Sequence, residues 1–247
     1  MLRVPVEPIT AAPPRHVRLV TMRQEWLDAV FLHWEIPIDE ARRHMPAGVE
    51  PDVFEGRTYV GLVGLDIRVA LFGVVPMPYL GRFPEINVRH YTVDRAGRRG
   101  IVFCSLDAGR LLPTLVARGG YRLPYMWWSD QSSRTEDVIS YAGRRRWPGG
   151  GPETRFSVRT GGEMAQPNSF EHFLTARWTL HWSWFGRSLW CAAQHQPWPL
   201  HHAELVECSD DLVSAAGLPA PAGPPVSVLW SPGVSAMIGP PHSLGPR

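Results

Sequence analysis

Apolar residues recur along the chain in short runs, often alternating with polar ones, and these runs have the length of β-strands. The segments are "HVRLVTM", "WLDAVFLHWEI", "RTYVGLVGLDIRVALFG", "EINVRHYTV", "GIVFCSL", "DVISYA", "RFSVRT", "RWTLHWSWF" and "SLWCAAQHQ". Helical patterns are fewer: "DEARRHM" from an Asp39 cap, "GRLLPTLVARGGY", "SFEHFLTARW" capped by Ser169, and "SDDLVSAAGLP" from Ser209 to Gly217. The pattern predicts an α+β protein, mainly antiparallel β, with short helices packed on a sheet.

Many medium-length strands with few helices favour a curved, partly closed sheet, because closure removes exposed strand edges. A barrel of this kind can enclose one small ligand. Residues 1–16 and 231–247 are rich in Pro, Gly or Ser and are predicted to be loose tails around a single domain, 17–230. Strands at 86–93 and 100–107 should form a hairpin around "DRAGRR", because Asp94 and Gly97 favour a turn.

Composition narrows the function classes. Hydrophobic residues make up 44% of the chain and charged residues 19%, which predicts a packed globular core. The formal net charge of +2 does not favour nucleic acid or an anionic membrane as the main partner. The basic run 144–146 is predicted to lie in a solvated loop. Homo-oligomerisation stays open.

The three cysteines are far apart and form no C-x-x-C pair, so neither a disulfide framework nor a zinc knuckle is predicted. Together with the absence of an apolar leader and of any run of 18 apolar residues, this favours a cytoplasmic protein that spans no membrane. All 25 basic residues are arginine, which excludes lysine chemistry. No glycine-rich nucleotide loop and no G-x-S-x-G motif occurs, so no cofactor is expected.

An unusually polar strand, "GRFPEINVRHY" at 81–91, carries the main functional candidates. Because side chains alternate along a strand, Glu85, Asn87 and Arg89 lie on one face. One interpretation is a polar cavity wall, where Arg89 binds an anion and Glu85 moves a proton. The alternative is that Glu85 and Arg89 form an ion pair on the outer face of a half-exposed sheet.

Secondary candidates lie on other segments. Ser105 and Asp107 share one face of the returning strand and would extend the polar wall if the register placed them opposite Arg89; Asp107 also suits a turn or helix cap. His33 in "FLHWEI" has a side chain suited to proton transfer near neutrality, although a lone strand histidine is more often structural. His172 falls in the first turn of a helix, where capping and docking are favoured over a site role.

The segment "QHQPWPLHHAEL" contains His195, His201, His202 and Glu204, but their spacing matches no established zinc pattern, so no metal is predicted. Its two prolines favour a rigid loop. His195 and Trp198 could instead form a polar and aromatic rim at a cavity mouth. Most of the eleven tryptophans are expected in the core.

Seven motifs, in this order along the chain, resemble the YqjF-like family of unknown function (domain of unknown function 2071). They are "FLHWEIP", "MPAGVEPDVFEGRTYVGLVGLDIR", "FPEINVRHYTVD", "GIVFCSLDAGR", "GYRLPYMW", "SFEHFLTARW" and "HQPWPL". That family is similar in turn to the acetoacetate decarboxylase-like superfamily. The resemblance implies a cone-shaped antiparallel β-barrel with flanking helices and a central small-molecule cavity, and it favours the cavity interpretation of Glu85.

Decarboxylases of that superfamily use a cavity lysine that forms a Schiff base. In acetoacetate decarboxylase, a known example, desolvation and a neighbouring cationic group lower the pKa of this lysine. By this resemblance Tyr125 occupies the position of the amine, and a phenol cannot form an imine. The resemblance supplies the cavity, the inward Glu85 and the position of Tyr125, and the strand pattern adds Arg89. Together they favour a lyase or isomerase that uses general acid and base chemistry, such as dehydration, isomerisation, cyclisation or retro-aldol cleavage, on an oxygenated, anionic small molecule, with Glu85, Arg89 and Tyr125 as catalytic residues. The alternative is a non-catalytic protein that binds a small molecule in the same cavity.

Overall fold

The computed structural model describes residues 4–71, 75–76, 82–109, 124–147 and 151–245. The strands of this part are β1 (Met22–Ile36), β2 (Val49–Pro51), β3 (Thr58–Leu71), β4 (Val75–Pro76), β5 (Arg82–Asp94), β6 (Arg99–Ala108), β7 (Tyr125–Thr135), β8 (Val138–Trp147), β9 (Glu153–Glu163), β10 (Thr179–Trp184), β11 (Arg187–His195), β12 (His201–Asp210), β13 (Ser227–Ile238) and β14 (His242–Ser243). The helices are α1 (Ile38–Arg42), α2 (Ser169–Thr175) and α3 (Leu212–Ala215). None of them has both the length and the apolar character needed to cross a membrane.

All described strands belong to one mixed sheet. Its order is β14-β11-β10-β6-β7-β8-β9-β12-β13-β1-β3-β5-β2, with β4 paired to β3 and further pairings of β11 with β13 and of β6 with β5. Most pairs are antiparallel, while β6 runs parallel to β7 and β10. The prediction of a mainly antiparallel, strand-rich protein with few short helices is confirmed.

Strands β1, β3 and β5 form the centre of the structure and are buried on both faces. On one face Leu62 and Ile86 pack with Tyr141 and Phe156 from β8 and β9. Gly64 makes this approach possible, because a Cβ there would lie only 2.6 Å from the Tyr141 ring. The opposite face includes a second apolar cluster, formed by residues such as Phe31, Val63, Phe83 and Leu200 together with Trp198.

The predicted hairpin between β5 and β6 is confirmed. Asp94 Oδ1 accepts hydrogen bonds from the backbone N–H groups of Ala96 (2.9 Å) and Arg98 (3.1 Å), and Gly97 has φ 79°. A register shift between Val88 and Arg89 interrupts the ladder of this hairpin. Such a bulge moves the residues beyond it to the other face relative to the partner strand.

Several predicted boundaries are wrong. Residues 231–238 are not a loose tail, because they pair with β1 as part of β13. Within the N-terminal segment, Arg15 Nη2 donates to Thr179 (2.7 Å) and the Glu7 backbone N–H donates to the Gly97 carbonyl (2.9 Å), so this segment contacts the folded body. The segment "HVRLVTM" forms no strand before Met22. The basic run 144–146 lies in β8 and residues 201–205 lie in β12, so neither is in a loop.

The helices are shorter than predicted. Helix α1 follows Pro37 rather than an Asp39 cap, and α2 is capped by Asn168 rather than Ser169. Helix α3 begins after Asp211, because Ser209 still belongs to β12, and Gly217 (φ 86°) follows its end as predicted. The helix predicted from "GRLLPTLVARGGY" lies outside the described residues.

Candidate functional site

Strand β5 carries a row of polar side chains into the interior. Glu85 and Asn87 are each 3% exposed and Arg89 is 9% exposed. Their cross-strand neighbours on β3 are Leu65, Val63 and Gly61. No ion pair joins Glu85 to Arg89 among the described residues, and neither lies on an outer surface, so the alternative of an exposed ion pair is wrong.

Glu85 sits in a small hydrogen-bonded group. Asn87 Nδ2 donates to Glu85 Oε1 over 3.4 Å, and the Tyr125 hydroxyl at the start of β7 hydrogen-bonds to the same carboxyl. Burial raises the pKa of Glu85 to about 7, and these two hydrogen bonds only partly oppose that effect. Burial and the neighbouring Glu85 raise the pKa of Tyr125 well above its ordinary value, so the phenol stays a donor. Glu85 can therefore gain and lose a proton near neutrality beside a permanent hydrogen-bond donor.

Arg89 lies further along the same face. Its guanidinium carbon is 5.4 Å from the centre of the Phe31 ring and 5.9 Å from that of Tyr91. Within the described part of the chain, its buried Nε and Nη2 atoms have no hydrogen-bond partner. Because unpartnered buried donors are costly, these atoms are candidates for contact with a ligand.

His33 is fully buried on β1, and its ring centre is 5.9 Å from that of Tyr91. Neither ring nitrogen has a partner among the described residues. Burial lowers the pKa of His33 well below its ordinary value, and the charges of Arg89 and Arg177 lower it further. The imidazole is therefore neutral near pH 7 and offers one donor and one acceptor.

Aromatic residues surround the remaining candidates. His195, at the end of β11, lies between Trp178, Trp198 and Trp26, with ring centres 4.5, 5.2 and 5.6 Å away. Burial lowers the pKa of His195 to about 4, and the charge of Arg89 contributes. Trp198 also meets the Phe31 ring edge-on at 5.2 Å. The structure thus brings His195 and Trp198 close to Arg89; their role at a cavity mouth stays a prediction.

Ser105 and Asp107 do not extend this polar row. Because of the bulge, their partners on β5 are Val88 and Ile86, which point to the opposite face. There Arg145 binds the fully buried Asp107 through Nε (2.7 Å) and Nη2 (2.9 Å), and Ser105 hydrogen-bonds to the same carboxylate. The register condition for a role beside Arg89 is therefore not met.

His172 also lies apart from this group. It is partly exposed on α2, where Asn168 accepts hydrogen bonds from the backbone N–H groups of Phe170 and Glu171, and Glu171 completes the capping box. The structure gives the His172 side chain no hydrogen bond or ring contact with another described residue. The capping interpretation of this segment is supported by Glu171 rather than by His172.

Metal binding has no support in the described residues, where no group of three or more His, Cys, Asp or Glu side chains is arranged to hold an ion. His201 instead bonds to the Gly161 carbonyl (3.1 Å) and contacts Trp230. A surface groove of about 450 Å³ lies elsewhere, beside Arg144 and Arg146. Arg144 pairs there with Glu153 (3.3 Å), so this groove has partly neutralised charge.

Three residues that lie beside the candidate side chains were not among the site residues predicted from the sequence. Tyr91 follows Glu85, Asn87 and Arg89 at the next alternate position of the same strand. Gly61 is a glycine inside a strand, and such a glycine often marks a place where another group lies close to the backbone. A Cβ at Gly61 would lie 3.0 Å from the Tyr91 hydroxyl, 3.3 Å from His33 Cδ2 and 3.4 Å from Arg89 Cγ. Arg177, which is buried near Tyr91, has no local sequence signal.

Comparison with solved structures shows the fold. The chain is 17% identical to the enduracididine biosynthesis enzyme MppR complexed with pyruvate, with a TM-score of 0.61 over 94% of this chain and 91% of that one. It is 10% identical to an acetoacetate decarboxylase-like enzyme from Sphingomonas wittichii RW1, with a TM-score of 0.63 over 92% and 94%. At these identities the likeness concerns the fold, which is that of acetoacetate decarboxylase-like enzymes.

Comparison of sequences shows the family. The chain is 29% identical over 212 residues to the uncharacterized protein YqjF of Bacillus subtilis (strain 168), a match that covers 83% of this chain and 85% of that protein. The resemblance predicted from the seven motifs is thereby confirmed. Because a family model matches residues 23–235, most of the chain, the protein belongs to the DUF2071 family, described as an uncharacterized conserved protein.

Proposed function

We propose that this protein is a small-molecule enzyme, a lyase or isomerase, that moves a proton on an oxygenated anionic substrate without a Schiff base. Glu85 is the proposed base and acid, Arg89 the anchor for the anion, and Tyr125 the donor to an oxygen that gains negative charge. Asn87, His33, His195 and Trp198 are proposed to contact the substrate. The observation that carries the proposal is a buried carboxyl with a pKa of about 7, on the same strand face as an arginine whose Nε and Nη2 have no hydrogen-bond partner in the described part of the chain.

The chemistry follows from the two protonation states of Glu85. As a carboxylate it can remove a proton from carbon next to a carbonyl group, and as an acid it can return that proton elsewhere. The phenol of Tyr125 stays protonated and can stabilise the enolate that forms. Dehydration and isomerisation use this pair of steps, and cyclisation by addition of the enolate to a second carbonyl begins with the first. In retro-aldol cleavage the carboxylate instead removes the proton of a hydroxyl group, the C–C bond breaks to give the enolate, and the acid returns the proton to the enolate carbon. The absence of lysine from the sequence sets this chemistry apart from imine-forming decarboxylation.

The fold neighbours supply candidate ligands. MppR has been described with pyruvate and with the condensation product of pyruvate and imidazole 4-carboxaldehyde. Oxo acids of this size are therefore the first compounds to test here. We also propose that the strands close into a cone-shaped barrel around the Glu85 face, that the protein is cytoplasmic, and that nucleic acid is not a partner.

Solvent deuterium exchange tests the proposal directly. A panel of 2-oxo and 3-oxo acids is incubated with the protein in D₂O, and loss of the C–H signal next to the carbonyl is followed by proton NMR. Wild type should accelerate exchange for at least one acid, and Glu85→Gln should reduce that rate by about 100-fold or more, the usual size of a general-base contribution. Glu204→Gln, a change at an exposed carboxylate, is the control. Equal exchange rates for Glu85→Gln and wild type would eliminate Glu85 as the base.

A non-catalytic binding protein is the second candidate, and it is favoured by one observation. Asn87, Arg89 and His33 have buried polar atoms without a hydrogen-bond partner among the residues that the structure describes, and such atoms suit ligand binding whether or not a reaction follows. In that case an acid from the panel would raise the melting temperature, since ligands that bind only the folded state stabilise it. The same acid would show no exchange and no product after prolonged incubation.

A further inference from the structure

Two buried arginines on opposite faces of the β5–β6 hairpin can be compared directly. Arg145 holds the Asp107 carboxylate side-on, with Nε donating to one oxygen (2.7 Å) and Nη2 to the other (2.9 Å). On the other face, the same two atoms of Arg89, Nε and Nη2, are buried and have no partner among the described residues. The Arg145 pair shows which chemical group fits this edge of a guanidinium, namely a planar carboxylate.

We propose that the Nε–Nη2 edge of Arg89 binds the carboxylate of an organic acid, and that His33, Tyr91 and Gly61 select for that group. The proposal rests on the small-molecule function given above and narrows its anionic substrate to a carboxylic acid. It also assigns a role to residues outside the proton-transfer group of Glu85 and Tyr125.

Gly61 keeps these side chains close together. In the sheet His33, Gly61 and Arg89 are directly paired across β1, β3 and β5, so their side-chain positions share one face. Any larger residue at the centre would meet the Tyr91 hydroxyl at 3.0 Å and the other two side chains at 3.3 and 3.4 Å. The glycine therefore lets two polar groups lie beside the guanidinium, where they can reach the same ligand.

The electrostatic surroundings favour a single compact anion. Arg89 has no acidic partner in the described residues, and a buried unpaired charge is costly. Arg177, whose guanidinium carbon is 4.8 Å from the centre of the Tyr91 ring, shares its acidic partner Asp52 with Arg99. The region thus has an excess of positive charge.

His33 distinguishes a carboxylate from a cationic or apolar ligand. Because burial and the two arginines lower its pKa, its ring is neutral and adds no further charge. Neither ring nitrogen of His33 has a partner among the described residues, so its N–H can donate to one carboxylate oxygen. The buried Tyr91 hydroxyl interacts with Arg89 and lies beside the same edge, where it can offer a second donor. A carboxylate would satisfy donors that a neutral amide or ester satisfies only in part.

Binding measurements on the full chain test this inference. Isothermal titration is done with pyruvate, pyruvamide, methyl pyruvate and inorganic phosphate, and with a set of two- to six-carbon oxo and hydroxy acids. We expect at least one carboxylic acid to bind, with its amide about 10- to 100-fold weaker, the range for hydrogen bonds to a charged group. Equal affinity for the acid and its amide, tighter binding of phosphate, or no saturable binding of any acid would overturn the proposal.

Two variants locate the site. Gly61→Ala should weaken acid binding by about 10-fold or more, because its methyl group would crowd the side chains of Tyr91, His33 and Arg89. Gly162→Ala is the matched control, since nothing lies within 4 Å of a Cβ there. Arg89→Gln should remove the preference for acid over amide. If Gly61→Ala fails to fold in a thermal melt, the acid-to-amide ratio in wild type and Arg89→Gln still decides the question.

Failure of this inference and failure of the proposed function give different results. Selective binding of an acid without deuterium exchange would refute the proposed catalysis and leave the carboxylate site intact. Exchange on methyl pyruvate or pyruvamide as fast as on pyruvate would support the catalysis and refute the carboxylate site.

Discussion

Glu85 should make the stability of the protein depend on pH in a way that reveals its environment. Its pKa is about 7 in the folded state against 4.5 for the ordinary side chain. Below pH 4.5 the carboxyl is protonated in both the folded and the unfolded chain. As pH rises towards 7 the unfolded chain loses this proton while the folded protein keeps it, so the free energy of unfolding falls.

The size of the effect follows from the shift. One pKa unit corresponds to 1.36 kcal/mol, so a shift from 4.5 to about 7 removes about 3 kcal/mol of stability across this range. The group is 3% exposed, which leaves little screening by water. Glu85→Gln, a neutral replacement of the same shape, lacks this loss. The free energy of unfolding of Glu85→Gln minus that of wild type should increase by about 1.4 kcal/mol per pH unit between pH 4.5 and 7, and stay constant above pH 7.

Urea unfolding of both proteins at pH 4.5, 5.5, 6.5 and 7.5 measures the difference. Other titrating groups, including the buried histidines, are common to both proteins and largely cancel. Other charged or polar groups acting on Glu85 are Asn87, Tyr125 and the more distant Asp107. Glu204→Gln, at an exposed site, should parallel wild type. A constant difference between Glu85→Gln and wild type would show that the carboxyl is not held protonated by burial, and the argument for its role as a base near neutrality would fail.

Three further variants test the packing around the site by urea unfolding. Asp107→Asn should lower the free energy of unfolding by about 3–5 kcal/mol, because it leaves the buried Arg145 without its counter-charge. A decrease of less than about 1 kcal/mol would contradict the buried ion pair. Gly64→Ala should lower the free energy of unfolding by about 1–3 kcal/mol through its clash with the Tyr141 ring, whereas Gly162→Ala should leave it unchanged. Equal effects of the two changes would contradict the close packing of β3 against β8 and β9. Asn168→Ala should cost about 0.5–2 kcal/mol by removing the helix cap, and no loss would contradict that cap.

The alternation of side chains in a strand was enough to predict the polar row of β5, because that property is local. It placed Glu85, Asn87 and Arg89 on one face, as found. It could not predict whether that face is buried, since both faces of β5 are covered by residues distant in sequence. The faces on which Ser105 and Asp107 lie could not be predicted either, because they depend on a β-bulge that the residue types of β5 and β6 do not indicate.

Proline and glycine misled the prediction at the C-terminus. Residues 231–247 are rich in Pro, Gly and Ser and were predicted to be a loose tail, yet residues 231–238 form the second half of β13. Pro232 is tolerated because the regular pairing with β1 is interrupted between the pairs Leu27–Gly233 and Ala29–Ser231. Gly233, at φ 130°, fits there because a Cβ would lie 2.2 Å from a β1 carbonyl oxygen. Both residues mark an irregular strand, and only its partner strand could show that.

Arg89 and Glu85, two of the residues proposed to act on the substrate, are both buried charged groups that the fold stabilises poorly. Arg145 and Arg89 are similar buried guanidinium groups, but the fold provides a carboxylate for Arg145 and none, among the described residues, for Arg89. Burial likewise leaves Glu85 with a carboxyl that ionises only at a cost to stability. Selection for stability alone would favour neutral side chains at both positions. Hence we expect Glu85→Gln to stabilise the protein at neutral pH and to lose activity, a combination that a purely structural carboxyl would not show.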